Sequence, residues 1–525
     1  MFWLFSILIL LILWYYYERS TFNFWSEKGV KQKIPRSILS DILGSVFQTT
    51  AVCDMIKGIY DSFDDVRYVG FYQFLQPILM IKDPKLIKQI CVKDFEYFLD
   101  RRPFVAEDVD PLWGKNLVAL SGQKWKDMRS TLSPSFTGSK MRQIFVLMHV
   151  CSKNFVKYLK EKPEELIELE LKDVFTRYTN DIIASTAFGI QCDSLKEREN
   201  EFYMNGRRVT NLSGVIRNLK FLIVFIFPKL SKLVKATFFD EEVASFFRGV
   251  VRDTLKYRTD NKIDRPDLLQ LLMQAKKDIQ KEADGKNMER TDSSAVEDFT
   301  VSKRGKLDLS LDDITSQALI FFFAGFETVA AVMCFVAYEL AVNPNIQTRL
   351  IEELDEFRAS NEKFSYDSLT KLPYLDMILS ETLRKWPVMI STDRKCNKPY
   401  MIKAELDEET SLQLNGGEII SIPIYALHRD EKYWENPDNF DPERFSTENK
   451  HKIDPYTYIP FGTGPRNCIG SRFAISEVKV IFFELLNQFE IVPTKKSCIP
   501  LVLDRKSFSL NSSTGFWFGL KKRRC

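Results

Sequence analysis

Between Ser310 and Asn343 lies a stretch that dictates how the rest of the chain must fold, because from Ala318 to Ala341 it is apolar almost throughout. Ser310 with Asp313 resembles a capping box at its start, and Asn343 followed by Pro344 marks its end. The spacing predicts a helix of about 32 residues, some ~48 Å long, enough to cross a whole molecule. Length and apolarity alone would suit a membrane span, but Glu327 and Thr328 stand in its middle. A carboxylate at a bilayer centre is costly, so the helix is read as buried inside protein. The centre runs Ala324, Gly325, Phe326, Glu327, Thr328. Ala324 and Thr328 share a face with Gly325, so small residues open a groove with a hydroxyl one turn beyond, room for a diatomic ligand and a water. The hydroxyl has a second use open to it, bonding the carbonyl four residues back and bending the helix.

A second feature is the run Phe461, Gly462, Thr463, Gly464, Pro465, Arg466, Asn467, Cys468, Ile469, Gly470, followed by an apolar helical pattern from Phe473 to Leu486. Glycines permit the positive φ of a tight turn, so such a loop can aim a sulfur and backbone N–H groups at one object. A helix start behind it, and an N–H directed at the sulfur, both favour thiolate. A soft metal is the expected object, and iron in haem fits best. A lone cysteine is more often a small buried hydrophobe. Zinc would need more ligands, and the chain holds only His149, His428 and His451 with no C-x-x-C. A thiol nucleophile would want a histidine base, none of which is close in sequence, and a phosphate loop would want Lys before Ser or Thr.

The pattern F-x-x-G-x-R-x-C-x-G, met at Phe461, Gly464, Arg466, Cys468 and Gly470, resembles the haem-binding loop of the cytochrome P-450 superfamily. The resemblance implies haem b with Cys468 as its axial thiolate, Phe461 and Gly462 in the cofactor cradle, and Ala324 beside the cofactor. The run from Ala324 to Thr328 resembles the family's oxygen-binding motif, A-G-x-(D/E)-T, which assigns Thr328 to hydrogen bonding in the oxygen groove and Glu327 to proton supply. Val329 stands where many relatives carry a second hydroxyl. Glu381 and Arg384 form an E-x-x-R pair in an apolar context, and Pro442 to Phe445 resembles the P-E-R-F segment whose arginine, here Arg444, completes that network around the cysteine loop. Propionate ligands implied in the same way are Trp125 and Arg129 (W-x-x-x-R), Arg394 after Asp393, and Arg466.

The implied class is mostly α with a smaller β region. Short strands are expected from about Val66 to Ile81 and from Glu418 to Pro423, and long helical patterns from Ser139 to Lys385. The charge-rich stretch from Lys276 to Leu307 is expected to be a mobile loop. Phe2 to Leu13 is apolar and is followed by Trp14, Tyr15, Tyr16 and Tyr17 as an aromatic belt. At roughly 24 Å of helix this is slightly short of the ~30 Å hydrocarbon core. With no basic region before it and bulky tyrosines where a cleavage site would be, it is read as a retained signal-anchor, residues 1–19, and not a cleaved signal. Residues 20–36 are read as a juxtamembrane linker holding Pro35 alone, and 37–525 as one catalytic domain. Lys28, Lys31, Lys33 and Arg36 place that domain in the cytosol, leaving the sequons at Asn211 and Asn511 unglycosylated. The six-residue stretch Leu222 to Phe227 is too short to span and falls between two helices roofing the substrate cavity in the resemblance.

Nine cysteines, all scattered, indicate a reduced compartment. A net charge of +3, from 74 basic and 71 acidic residues, carries no nucleic-acid signal. No flavin or nicotinamide module is evident, so the resemblance implies electrons from NADPH through cytochrome P-450 reductase, with cytochrome b5 as an additional donor, at the endoplasmic reticulum membrane. The docking candidates are Lys126, Lys450 and Lys452. Ser133 to Phe136, Tyr425 to Asp430 and Phe321 to Ala330 resemble vertebrate drug-metabolising and insect detoxification families, which implies lipophilic xenobiotic substrates. Steroid or sesquiterpenoid hormones are the alternative substrates; a reductase-independent isomerase or dehydratase, and a haem carrier, are the alternative activities. Cavity-lining candidates are Phe104, Trp113, Phe227, Phe323, Val388 and Phe508. The 42 phenylalanines suit a large apolar cavity as well as a large core.

Overall fold

The computed structural model describes residues 5, 14–35, 49–103, 105, 107–211, 237–265, 267–283, 309–505, 507 and 509–523. Phe104, Phe227, Phe508, the stretch 222–227 and all of the apolar N-terminal run but Phe5 lie outside them. Helices of nine residues or more in the described part are α1 (Val52–Tyr60), α2 (Gly122–Leu132), α3 (Gly138–Lys160), α4 (Leu171–Ile183), α5 (Glu201–Thr210), α6 (Glu241–Asn261), α7 (Leu268–Ala283), α8 (Leu311–Val342), α9 (Pro344–Ala359), α10 (Pro373–Lys385) and α11 (Ser471–Gln488). The strands are β1 (Tyr68–Gln73), β2 (Gln76–Ile81), β3 (Leu166–Glu170), β4 (Thr392–Lys395), β5 (Tyr400–Ile402), β6 (Leu412–Leu414), β7 (Ile419–Ile422), β8 (Phe489–Pro493) and β9 (Trp517–Lys522). The class is mostly helical with a smaller sheet region, as expected.

Helix α8 is the axis of the molecule. Ser310 caps it: its side chain accepts from Asp313 N while the Asp313 carboxylate accepts from Ser310 N, both halves of the capping box. Every residue from Val329 to Ala341 is buried, packed by α4, α9, α10, α11 and β8. Each large apolar side chain removed from water there contributes on the order of 2 kcal/mol, which overrides the free choice of lipid as solvent. Glu339, buried in this stretch, is neutralised by Lys385 at 2.9 Å and bonded by the Trp386 indole at 2.7 Å. The apolar core comes in two parts that divide α8 between Phe326 and Val329. The polar pair Glu327 and Thr328 therefore sits at the seam between two hydrophobic cores.

One sheet has the order β1-β2-β7-β4, with β2 and β7 parallel and the other pairs antiparallel; Arg394 on β4 stands opposite Ile420 on β7. A second sheet has the order β3-β9-β8, and β5 pairs with β6. One expectation changes, and one segment gains a position. The charge-rich stretch from Lys276 begins as helix, because α7 runs on to Ala283; its apolar residues Leu268, Leu269 and Leu272 are buried and carry the helix beyond the apolar segment. The segment read as a juxtamembrane linker is docked on the sheet. Trp25 is fully buried, Gly70 N donates to Lys31 O and Lys33 N donates to Gly70 O at 2.9 and 2.8 Å, and Lys28 pairs with Glu418.

Candidate active site

The loop Phe461 to Gly470 closes on itself. Cys468 N donates to Phe461 O at 2.9 Å and Asn467 N to Gly464 O at 3.0 Å. Gly462 and Gly464 both take φ of 72°. Gly464 is doubly constrained, because a Cβ there would overlap the carbonyl oxygen of Cys91. Gly464→Ala is therefore expected to lower stability by about 3 kcal/mol, from backbone strain plus the clash, read as a drop in denaturant midpoint.

Cys468 is the one exposed cysteine among the described residues. Burial raises the thiol above its ordinary value, while a hydrogen bond from Gly470 N–H and the charges of Arg129 and Arg101 pull the other way. Gly470 is also the N-cap of α11. Phe136 joins this loop to α8: its ring stacks on Phe321 at 5.5 Å and lies 3.8 Å from the position of a Cβ on Gly470.

Three cations from elsewhere in the chain, Arg101, Arg129 and Arg394, join the loop's own Arg466. Arg466 donates to the carbonyls of Leu99 and Leu120 at 2.8 Å and of Leu117 at 3.5 Å. Its guanidinium lies 4.0 Å above the Trp125 ring, and burial together with Arg101 lowers its pKa to about 9. Arg129 donates to the carbonyl and side-chain oxygens of Asn467 at 3.0 and 2.8 Å. Arg394 is fully buried and donates to Asp393 O at 2.7 Å and Thr463 O at 3.2 Å, while its Nε is without a partner among the described residues. Arg101, which sequence reasoning missed, bonds Thr392 Oγ1 at 3.1 Å and Arg466 O at 3.3 Å. Its pKa is lowered by burial and by Arg394. An Arg101-Arg102 pair before a proline is too common a string to have announced it.

On α8, Ala324 is exposed between the partly buried Phe323 and Gly325, with Thr328 partly buried one turn on, as a groove at this point of the helix requires. Thr328 donates its hydroxyl to Ala324 O, the second of the two uses its position allowed. Glu327 pairs with Lys172 on α4 at 2.7 Å. The same helix approaches twice more: Thr179 Oγ1 donates to Phe326 O at 2.8 Å, and Ile183 lies 2.8 Å from the position of a Cβ on Gly325. Lys172 and Thr179 carry no motif and were invisible in sequence.

Glu381 and Arg384 are fully buried and joined by two hydrogen bonds of 2.7 Å. Arg444 Nε lies 3.4 Å from Glu381, and Asp441 N donates to Glu381 at 3.0 Å. Arg384 also donates to His428 O at 2.9 Å. The His428 ring accepts from Ile459 N at 2.9 Å through Nε2 and meets Arg384 O through Nδ1. Burial and Arg384 lower its pKa to about 3, so the ring is neutral. Ile459 O in turn accepts from Gly462 N at 2.9 Å. The ion pair thus reaches the cysteine loop through His428, a link the sequence did not reveal.

Of the cavity candidates, Trp113 and Phe323 belong to one aromatic group and Val388 is buried in the core. Lys450 and Lys452 are exposed in a short turn, whereas Lys126 is paired with Glu96 at 2.8 Å.

The family model Cytochrome P-450 matches residues 42–517. Cytochrome P-450 9e2 of Blattella germanica is 41% identical over 537 aligned positions, covering 99% of this chain and 98% of the relative. Probable cytochrome P-450 9f2 of Drosophila melanogaster is 41% identical, covering 97% of each chain. Cytochrome P-450 6k1 of Blattella germanica is 37% identical, covering 96% of this chain and 94% of the relative.

Proposed function

The chain belongs to the cytochrome P-450 family, and on that premise we propose that it inserts one oxygen atom from O2 into lipophilic substrates, chiefly xenobiotics, with electrons from NADPH delivered by cytochrome P-450 reductase. The family's cofactor is haem b held through a cysteine thiolate. The axial sulfur is assigned to Cys468, and the observation that carries the reading is its placement: the one exposed cysteine among the described residues, bonded by Gly470 N–H, and flanked by Arg101 and Arg129.

The surroundings fit a cofactor with two carboxylates. Arg101, Arg394 and Arg466 crowd together, and among the described residues Asp393 pairs with Arg101 and Asp100 with Arg466. Arg394 Nε is buried and has no partner among the described residues, a cost that an anion would relieve. Arg101, Arg394 and Trp125 would hold the propionates, while Arg129 and Arg466, bonded to backbone and Asn467, would brace the loop that carries the sulfur. Haem with a thiolate ligand supplies the electron-rich iron chemistry that activates oxygen toward C–H bonds.

The protein's part is proton handling and exclusion of water. Thr328 Oγ1 donates to Ala324 O and would have to release that carbonyl to serve the groove. Lys172 fixes the starting position of the Glu327 carboxylate, which would leave that pairing, take up a proton from solvent water and hand it on to Thr328. Thr328→Ala and Glu327→Gln are each expected to lower kcat by roughly 10²-fold with the ferrous carbon-monoxide band intact; unchanged kcat in both would remove these roles.

Residues 1–19 are assigned as a signal-anchor in the endoplasmic reticulum membrane, with residues 37–525 as the cytoplasmic catalytic domain. Support comes from the exposed Trp14, Tyr15, Tyr16 and Tyr17 beside the apolar run, a pattern suited to a lipid interface. Lys450 and Lys452 are the reductase-facing candidates, with cytochrome b5 as an additional donor. The deciding experiment is reconstitution with reductase and NADPH against a broad lipophilic panel. Products heavier by one oxygen atom are expected; an absence of NADPH consumption with every compound would overturn the proposal.

A further inference from the structure

Gly325, Phe326 and Glu327, consecutive on α8, are each held by a different residue of α4. Lys172, Thr179 and Ile183 are seven and four positions apart, so they stand in line along one face of that helix. Lys172 Nζ pairs with the Glu327 carboxylate at 2.7 Å. Thr179, fully buried, donates its hydroxyl to Phe326 O at 2.8 Å. The carbonyl so engaged belongs to the peptide unit whose nitrogen is that of Glu327. Ile183 is buried against Gly325, its Cδ1 2.8 Å from where a Cβ would stand. The side chain, the backbone and the packing surface of this short run are therefore all set from α4.

The helix that makes these contacts is itself fixed. Glu170 caps it, accepting from Asp173 N at 2.7 Å, and the same carboxylate accepts from Phe516 N at 2.9 Å. Leu171 N donates to Phe516 O at 2.8 Å, so α4 starts from a point locked to the paired strands β3 and β9. A buried threonine in a helix can satisfy its hydroxyl on the preceding turn of its own helix, and Thr176 O does lie 3.1 Å from Thr179 Oγ1. The shorter bond is the one across to α8. The Thr179 hydroxyl thus does more than satisfy itself: it reaches the backbone beside the internal carboxylate.

We propose that Thr179 is a positioning residue for proton supply: by tying the Phe326 carbonyl to α4, it holds the backbone that carries Glu327 in register with Lys172. The inference rests on the monooxygenase reading of the site. On that reading the Glu327 carboxylate leaves Lys172, takes a proton from solvent water and hands it to Thr328, so its backbone must keep one place through both contacts. Valine at position 179 keeps the shape of threonine but sets a methyl group against the Phe326 carbonyl. Losing one buried hydrogen bond of this kind favours local opening of the turn by about tenfold. The rest of α8 has other supports, the Ser310 cap at its start and the buried stretch from Val329 to Ala341. The loosening is therefore confined to the run that bears the carboxylate.

The test compares Thr179→Val and Thr179→Ser in the full-length holoenzyme. Without NADPH, amide hydrogen exchange read by mass spectrometry is expected to run about tenfold faster at residues 326–330 in Thr179→Val and to stay unchanged at residues 333–340. With reductase, NADPH and a compound that the parent oxidises, kcat is expected to fall about tenfold in the same variant while KM stays within about twofold. A productive turnover takes O2, two electrons and two protons and returns one oxygen atom in the product and the other in water. A misplaced proton returns them as hydrogen peroxide with the substrate unchanged, so peroxide formed per NADPH is expected to rise about twofold or more. Thr179→Ser keeps the hydroxyl and is expected to match the parent in every readout. Unchanged exchange at 326–330 in Thr179→Val overturns the proposal, and so does faster exchange with kcat and peroxide at parental values. Should Thr179→Val not accumulate, Thr179→Ala is read in the same assays by the same criteria. A parent that consumes no NADPH overturns the monooxygenase reading and the proton role with it, whereas the exchange result, obtained without turnover, decides the tie to α4 by itself.

Discussion

Serine at position 468 is expected to abolish the red-shifted carbon-monoxide band of the reduced protein and to lower turnover by roughly 10³-fold or more, some ~4 kcal/mol of barrier. An oxygen in place of sulfur is a poor match for iron that depends on thiolate electron donation, and no other cysteine among the described residues is exposed to replace it. The fold should survive. The loop is closed by backbone bonds from Cys468 N and Asn467 N and by the positive φ of Gly462 and Gly464, none of which involves the sulfur. A melting temperature within a few degrees of the parent, together with the lost band, is the expected pair of results. An unaltered band in Cys468→Ser would end the assignment of the axial ligand.

The largest effect on stability is expected from Arg384→Leu. Removing one member of a buried ion pair leaves the other charged and desolvated, a loss of about 3–5 kcal/mol. Glu381 would keep only Arg444, at 3.4 Å, and Asp441 N. The damage should travel along the chain of bonds from Arg384 to His428 O, from the His428 ring to Ile459 N, and from Ile459 O to Gly462 N. The cofactor is therefore expected to be released at lower urea than that which unfolds α8. Arg384→Lys should rescue little, since an ammonium cannot reproduce the two parallel bonds to Glu381 while also reaching His428 O. Urea titrations followed by the carbon-monoxide band and by circular dichroism measure both; a midpoint within 1 kcal/mol of the parent would refute the argument.

Both experiments address features of different legibility. Cys468 could be found without a structure, because glycine spacing, positive φ and a helix start all lie within ten residues of it. Glu381 and Arg384 could be found as a pair, but not the route through His428, whose two ring nitrogens are engaged by Arg384 and Ile459, distant in sequence. Arg129, Arg394 and Arg466 carry motifs readable in the sequence, and in the fold the first two bond the loop that holds the third. Their bonds to Asn467, Thr463 and the carbonyls of Leu99, Leu117 and Leu120 depend on where those carbonyls lie in the fold.

The chain itself was enough to determine the long central helix with both its caps, the turn at Gly464 and the cysteine behind it, since each is dictated by neighbours a few residues away. Only the tertiary structure decided that Thr328 bonds Ala324, that Glu327 is held by Lys172, that Arg101 joins the cation cluster, that Trp25 docks the N-terminal segment, and that Thr179 bonds the Phe326 carbonyl. Backbone conformation is governed by short-range sterics and hydrogen bonding, whereas the partner of a long or charged side chain is chosen by which distant groups packing brings within about 3 Å.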